Sequence, residues 1–127
     1  MAEAKLRVLV VDDEPSVRRI AERVLEREGI EALSASDGDE ALEIMDREAH
    51  LDLIVLDASM PRMSGERVLQ IMRERGLSIP VVVSSGFGED GLADADAYPN
   101  LRGFLAKPYR VATLAARVRE LLGMPES

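Results

Sequence analysis

The sequence predicts an α/β fold, a five-stranded parallel sheet wound on both faces by helices. Three observations predict it. Five short apolar runs alternate with segments whose apolar residues recur every three to four positions. The central runs are continuous rather than alternating, as strands buried on both faces are. Each run then breaks into Asp, Ser, Gly or Lys-Pro, the chemistry of a strand-to-helix turn. Strands that alternate with helices pair in parallel through right-handed crossovers.

The elements follow in order. Residues 7–11 (Arg-Val-Leu-Val-Val) form the first strand and break into Asp12-Asp13-Glu14-Pro15. Over 16–28, Val17, Ile20, Ala21, Val24 and Leu25 fall at helical spacing and predict one inward face. Pro15 suits the first turn of that helix and Gly29 its C-terminal exit. Residues 30–35 are shorter and more polar, which fits an edge strand. Asp37 and Glu40 have capping-box spacing, and the helix they open buries Ala41, Leu42, Met45 and Ala49. Residues 51–56 form the third strand, ending at Asp57. Ser64 and Gly65 start a helix with Val68, Leu69 and Met72 inward, closed at Gly76. Residues 79–84 form the fourth strand, with Pro80 at its start, where a missing N–H is tolerated. The next helical slot, 88–99, is weak: Gly91 lies inside it, Pro99 stops it, and its large apolar anchors are Leu92 and Tyr98. A short or frayed helix is expected there, then a loop over 99–102. Residues 103–106 form a short, buried fifth strand. Val111, Leu114, Ala115, Val118 and Leu122 share one side of the last helix.

Composition narrows the function. At 127 residues, 1–127 is expected to be a single domain with a core of about 6–122. Cysteine is absent, which excludes disulfides and thiolate metal sites. A formal charge of −8 argues against direct nucleic-acid binding, since phosphate contacts need a basic face. Two Phe, two Tyr and no Trp provide no stacking platform for single strands. There is no signal peptide and no stretch of membrane-spanning length, so a cytoplasmic protein without membrane insertion is expected.

Ligands of doubly wound sheets bind at the carboxyl ends of the strands. There this chain places Asp12 and Asp13, Asp57, Ser84 and Ser85 followed by Gly86, and Lys107. An Asp at a strand end is often only a turn former, but here three carboxylates meet on one rim. They repel unless a proton or cation sits among them, and all-oxygen ligation suits Mg²⁺. Lys107 supplies a positive charge opposite. The arrangement suits a metal and a phosphoryl group around one acceptor carboxylate. Ser84 and Ser85 compete for the hydroxyl role, and spacing from Pro80 favours Ser85. Phe104 also has a plain reading, as a core aromatic. His50, the sole histidine, has no ligand-spaced partner and reads as solvated surface.

From Arg7 to Leu122 the chain resembles the receiver domain of two-component response regulators. The resemblance rests on Val-Leu-Val-Val-Asp12-Asp13-Glu-Pro, then Ile-Val-Leu-Asp57 with Met60-Pro61 and Gly65. It continues with Pro80-Val-Val-Val-Ser-Ser85-Gly86 and Phe104-Leu-Ala-Lys107-Pro108. It implies a flavodoxin-like sheet of order 2-1-3-4-5. It also implies that Asp57 takes a phosphoryl group from a phosphohistidine on a histidine kinase or histidine phosphotransfer protein. Asp13, Asp57 and the Ser59 backbone carbonyl would bind Mg²⁺, with Asp12 reaching it through water. Lys107 and Ser85 would contact phosphoryl oxygens, and Phe104 would be the aromatic switch. A downstream output protein or domain would read the face formed by the fourth helical segment, the fifth strand and the last helix. Such a domain is a regulatory phosphoacceptor rather than an enzyme, charging itself from small donors and slowly losing the phosphoryl group. The wording around Phe104 is closest to receivers attached to hybrid histidine kinases.

Two other classes compete. A pseudo-receiver interaction domain would never take phosphate, and its partner binding would survive Asp57→Asn. A Mg²⁺-dependent aspartyl phosphatase usually needs a second Asp two residues after the nucleophile, and position 59 is Ser.

Overall fold

Arg7–Val11 forms β1, and its side chains alternate between two cores, Val8 and Val10 into one, Leu9 and Val11 into the other. The structure is a computed structural model and describes residues 5–48, 50–86, 92 and 95–125. The other strands are β2 (Glu31–Ala35), β3 (Leu53–Asp57), β4 (Val81–Ser85) and β5 (Leu101–Ala106). All pair in parallel in the order β2-β1-β3-β4-β5, as the resemblance implies. The helices are α1 (Pro15–Arg27), α2 (Gly38–Arg47), α3 (Gly65–Glu74) and α4 (Val111–Leu121).

The helices divide between the two faces. Ala21, Val24 and Leu25 of α1 and Leu114 and Val118 of α4 bury against Val8, Val10, Leu53, Val55, Val82 and Leu105. On the other face Ala41, Leu42, Ile44 and Met45 of α2 and Val68, Leu69 and Met72 of α3 cover Leu9, Val11, Ile54, Leu56, Val81 and Val83. Every side chain of β3 and β4 is buried, which is why their sequences are continuously apolar.

Several expectations need correction. Ile20 and Val111 were expected inward but are each 49% exposed. Ile20 turns toward Pro108 and Tyr109 at the edge of α1, and Val111 begins α4, before the turn that meets the sheet. β5 begins at Leu101, inside the expected 99–102 loop, and is only partly buried because it is the second edge of the sheet. β3 starts at Leu53 and β4 at Val81, two residues later than the apolar runs do. Asp52 Oδ2 accepts the Arg7 N–H (2.8 Å) ahead of β3, and Pro80 offers its carbonyl to Ile54 N–H (2.9 Å). Asp37 caps α2 by accepting Glu40 N–H (2.8 Å), but Glu40 reaches back to Ser36 N–H (2.6 Å), one residue beyond the expected box.

Ala49 and residues 87–91, 93 and 94 lie outside the described residues, and with them most of the weak helical slot. Ala95–Ala97 forms one 3₁₀ turn, and Leu92 and Tyr98 are buried as expected. Tyr98 donates to Glu66 Oε2 at 3.1 Å, beneath the Arg73 guanidinium, 5.4 Å from the ring centre. Tyr98→Phe is expected to lower stability by about 1 kcal/mol, read as a shift in urea midpoint, since the phenol's hydrogen bonding to Glu66 and Gln70 is lost and the ring stays. Among the described residues no helix is long and apolar enough to cross a membrane.

Candidate functional site

The carboxyl ends of β1, β3, β4 and β5 meet on one rim. Asp12 and Asp57 are buried there, at 1% and 2% exposure, while Asp13 faces solvent. Lys107 follows β5 and sends its ammonium between the two buried acids, 2.9 Å from Asp12 Oδ2 and 3.5 Å from Asp57 Oδ2. The other Asp12 oxygen accepts Glu14 N–H (3.0 Å), and Asp57 Oδ1 accepts Ser59 N–H (3.1 Å). One ammonium thus serves two buried carboxylates, with a third beside them.

That imbalance sets the electrostatics. Burial pushes the Asp57 carboxyl up to about 6; the nearby Asp12 charge adds to this, while Ser59 N–H and Lys107 oppose it. Burial disfavours the Lys107 ammonium, but hydrogen bonding and charge from Asp12, helped by Asp57, hold its pKa above the ordinary value. Asp12, Asp13 and Asp57 each offer one oxygen within 4.8 Å of the other two. Hard oxygen donors, two of them buried and short of positive charge, fit a divalent ion such as Mg²⁺.

The backbone holds this rim in place. Asp57 pairs in register with Ser84, whose carbonyl accepts Ala58 N–H (2.9 Å). Lys107 N–H donates to the Ser85 carbonyl (2.9 Å), so Ser85 and Lys107 stand side by side at the ends of β4 and β5. Both Ser84 and Ser85 are buried. Phe104 is half-buried against the α2–α3 core, level with Val83. Ser59 is exposed on the loop after β3. Among the described residues, a Cβ at Gly86 would meet nothing within 4 Å. Gly65 is the opposite case: a Cβ there would stand 2.5 Å from the Asp57 carbonyl oxygen and 2.9 Å from Ala58 Cα. Backbone cannot yield as a side-chain tip can, so Gly65→Ala is expected to cost about 3 kcal/mol in urea unfolding.

Some participants escape sequence reasoning. Arg18 Nη1 donates to the Asp12 carbonyl (2.6 Å), bracing the β1 end from α1. Tyr109 joins Glu14, Val17, Ile20, Lys107 and Pro108 around a groove of about 340 Å³ beside the rim. Burial, then the Asp12 charge, pushes its phenol up to about 12. Position after Lys-Pro was the available signal for Tyr109, and it carries no distance. His50 is exposed as expected, yet its Nε2 lies 2.7 Å from Asp52 Oδ1.

Residues 8–119 match the family model for the response regulator receiver domain. The chain belongs to that family. The receiver is 37% identical over 123 residues to the probable transcriptional regulator ycf27 of Cyanophora paradoxa, covering 97% of this chain and 51% of that protein. It is also 37% identical over 116 residues to sensor kinase CckA of Brucella abortus (strain 2308), covering 91% of this chain and 12% of the kinase. The chemotaxis protein CheY4 of Vibrio cholerae has the same fold, with a TM-score of 0.84 at 28% identity over 94% of this receiver and 100% of CheY4. The receiver spans about half the length of several curated relatives that it matches. As a receiver it is regulatory in kind, part of two-component signalling.

Proposed function

We propose that Asp57 accepts a phosphoryl group from a phosphohistidine on a histidine kinase or phosphotransfer protein. The carrying observation is the Asp57 carboxylate itself, buried beside Asp12 and Asp13 with the Lys107 ammonium 3.5 Å away. In the transfer an Asp57 oxygen forms a bond to phosphorus as the donor's P–N bond breaks. The electron pair leaves with the imidazole nitrogen, which is then protonated, and Asp57 holds an acyl phosphate. Lys107 balances charge on the phosphoryl oxygens, and the Ser85 hydroxyl is the second protein contact to them. Asp13, Asp57 and the Ser59 carbonyl would hold Mg²⁺, with Asp12 alongside; the ion supplies neutralisation of carboxylate and phosphoryl charge. Gly86 carries no side chain beside the rim, which leaves room for an incoming donor. The groove between α1 and Pro108–Tyr109, with exposed Ile20 on its wall, supports docking of the donor protein there.

Movement of Ser85 toward the phosphoryl group lets Phe104 turn inward, biasing a two-state equilibrium that an output partner reads. The readout face combines β5, α4 and the segment between β4 and β5. The receiver works in the cytoplasm as one domain, and any nucleic-acid contact belongs to a partner or an attached output domain.

Incubation with Mg²⁺ and acetyl phosphate tests this. The intact mass should gain one phosphoryl group, and the gain should vanish with a chelator or in Asp57→Asn. A gain that persists in Asp57→Asn contradicts the assignment. No gain at all in wild type would favour the pseudo-receiver reading.

A further inference from the structure

The loop 58–64 after the acceptor is held from two sides. Near Asp57 the hold is backbone: Ala58 N–H to the Ser84 carbonyl (2.9 Å), and Gly65 N–H to the Ala58 carbonyl (3.0 Å). Met60 is buried in the α2–α3 core and anchors the near half. The far half leans on the first turn of α2. Met63 lies against Gly38 so closely that a Cβ there would stand 2.5 Å from its Sδ and 3.0 Å from its Cγ. Asp37 bridges the two elements as well, capping α2 through Oδ1 and meeting Arg62 Nη2 at 3.2 Å through Oδ2. Arg62 has φ +69°, a left-handed conformation that a non-glycine residue keeps only where its surroundings impose it.

We propose that the first turn of α2 is a positioning element of the phosphoryl site, seating Met63 on Gly38 so that the loop presents the Ser59 carbonyl for Mg²⁺. The inference rests on the assignment of Ser59 and Asp57 made above. A backbone carbonyl has no rotamer with which to correct its aim, so its direction depends on how the loop is anchored. Met60 and Met63 flank the exposed pair Pro61 and Arg62. Without the Met63 seat, the α2 side holds residues 59–62 only through the Arg62–Asp37 pair. The Arg62–Asp37 pair is exposed on the Arg62 side and contributes less than the Met63 contact.

Gly38→Ala tests the seat from the α2 side. Its methyl group would stand 2.5 Å from Met63 Sδ and also 3.0 Å from Val68 Cγ2, so it presses on the core as well as on Met63. Met63 is only half-buried, so Met63→Ala carries the test should Gly38→Ala fold poorly. Mg²⁺ is titrated calorimetrically into folded, full-length variants, and the Ser59 amide resonance is followed without metal. In both variants the Mg²⁺ Kd is expected to rise about three- to tenfold, the scale on which ligand-orienting contacts act. The double variant should bind no more weakly than Met63→Ala, since both changes act through one contact. The Ser59 amide should shift in the metal-free variants. Wild-type Kd and an unmoved Ser59 amide in the folded variants would overturn the α2 role alone. Failure of wild type to bind Mg²⁺, or undiminished binding by Asp13→Asn, would overturn the metal site and this inference with it.

Discussion

Replacing Asp57 by Asn is expected to stabilise the metal-free protein by about 1–2 kcal/mol near neutral pH. The reason is the position of the Asp57 carboxyl, pushed up to about 6 from an ordinary 3.8, first by burial and then by Asp12. Between those values the folded protein keeps a proton that the unfolded chain has released. The stability this group contributes is therefore complete below about pH 3.8 and is lost as pH rises through 6. The full difference corresponds to about 3 kcal/mol, which solvent at the open rim reduces. Asn keeps the shape and a neutral carbonyl oxygen for Ser59 N–H, without the charge. In chelator, urea unfolding should show the variant and wild type nearly equal at about pH 4, with the variant ahead by about pH 7.5. A pH-independent difference would mean that Asn acts through packing. Added Mg²⁺ should stabilise wild type more than the variant, because it binds the charged folded site.

Removing Lys107 should act in the opposite direction. Its ammonium is the cation that meets both Asp12 and Asp57, at 2.9 and 3.5 Å. Lys107→Ala strands two buried carboxylates, and breaking such pairs costs about 3–5 kcal/mol in a sealed interior. The Lys107 side chain is 19% exposed and solvent can partly replace it, so about 2 kcal/mol is expected at neutral pH. The loss should shrink in acid, as the stranded carboxylates take up protons. At the alkaline end, titration of the Lys107 ammonium itself leaves the contribution in place below its ordinary 10.5 and removes it as pH rises through its raised value. Asp57→Asn in the Lys107→Ala background should recover part of the loss, giving a coupling energy of about 1 kcal/mol in a double-mutant cycle. Phosphoryl acceptance from acetyl phosphate should fall about a hundredfold in Lys107→Ala, as when one preorganised donor is removed from a charge-stabilising site. Additive stability effects or unchanged acceptance would remove Lys107 from its assigned place.

The sequence made the site legible because strand ends are easy to read. A continuous apolar run that stops at Asp57, Asp12 or Lys107 names the residue at the rim, and parallel topology brings the rims together. What periodicity could not supply was distance and direction. Nothing in the spacing says that Lys107 sits closer to Asp12 than to Asp57, or that Glu40 reaches Ser36. Ile20 and Val111 fit the helical pattern and still face outward, since spacing records which residues share a face and not how much of it is covered. β5 was expected to be buried because Gly-Phe-Leu-Ala is apolar, but its place at the sheet edge leaves it half open. The seat of Met63 on Gly38 joins a loop residue to the first residue of α2, 25 positions apart, where no repeat exists to betray it. Tyr98 was picked out as an anchor, but its Glu66 partner on α3 was not.

Trapping the acyl phosphate tests the central assignment most directly. After incubation with Mg²⁺ and acetyl phosphate, borohydride reduces a phosphoaspartate to homoserine, and peptide mass spectrometry locates it. Homoserine at position 57, absent when Mg²⁺ is withheld, is the expected result. Homoserine at position 12 or 13, or its absence from a protein that has gained phosphoryl mass, would contradict Asp57 as the acceptor.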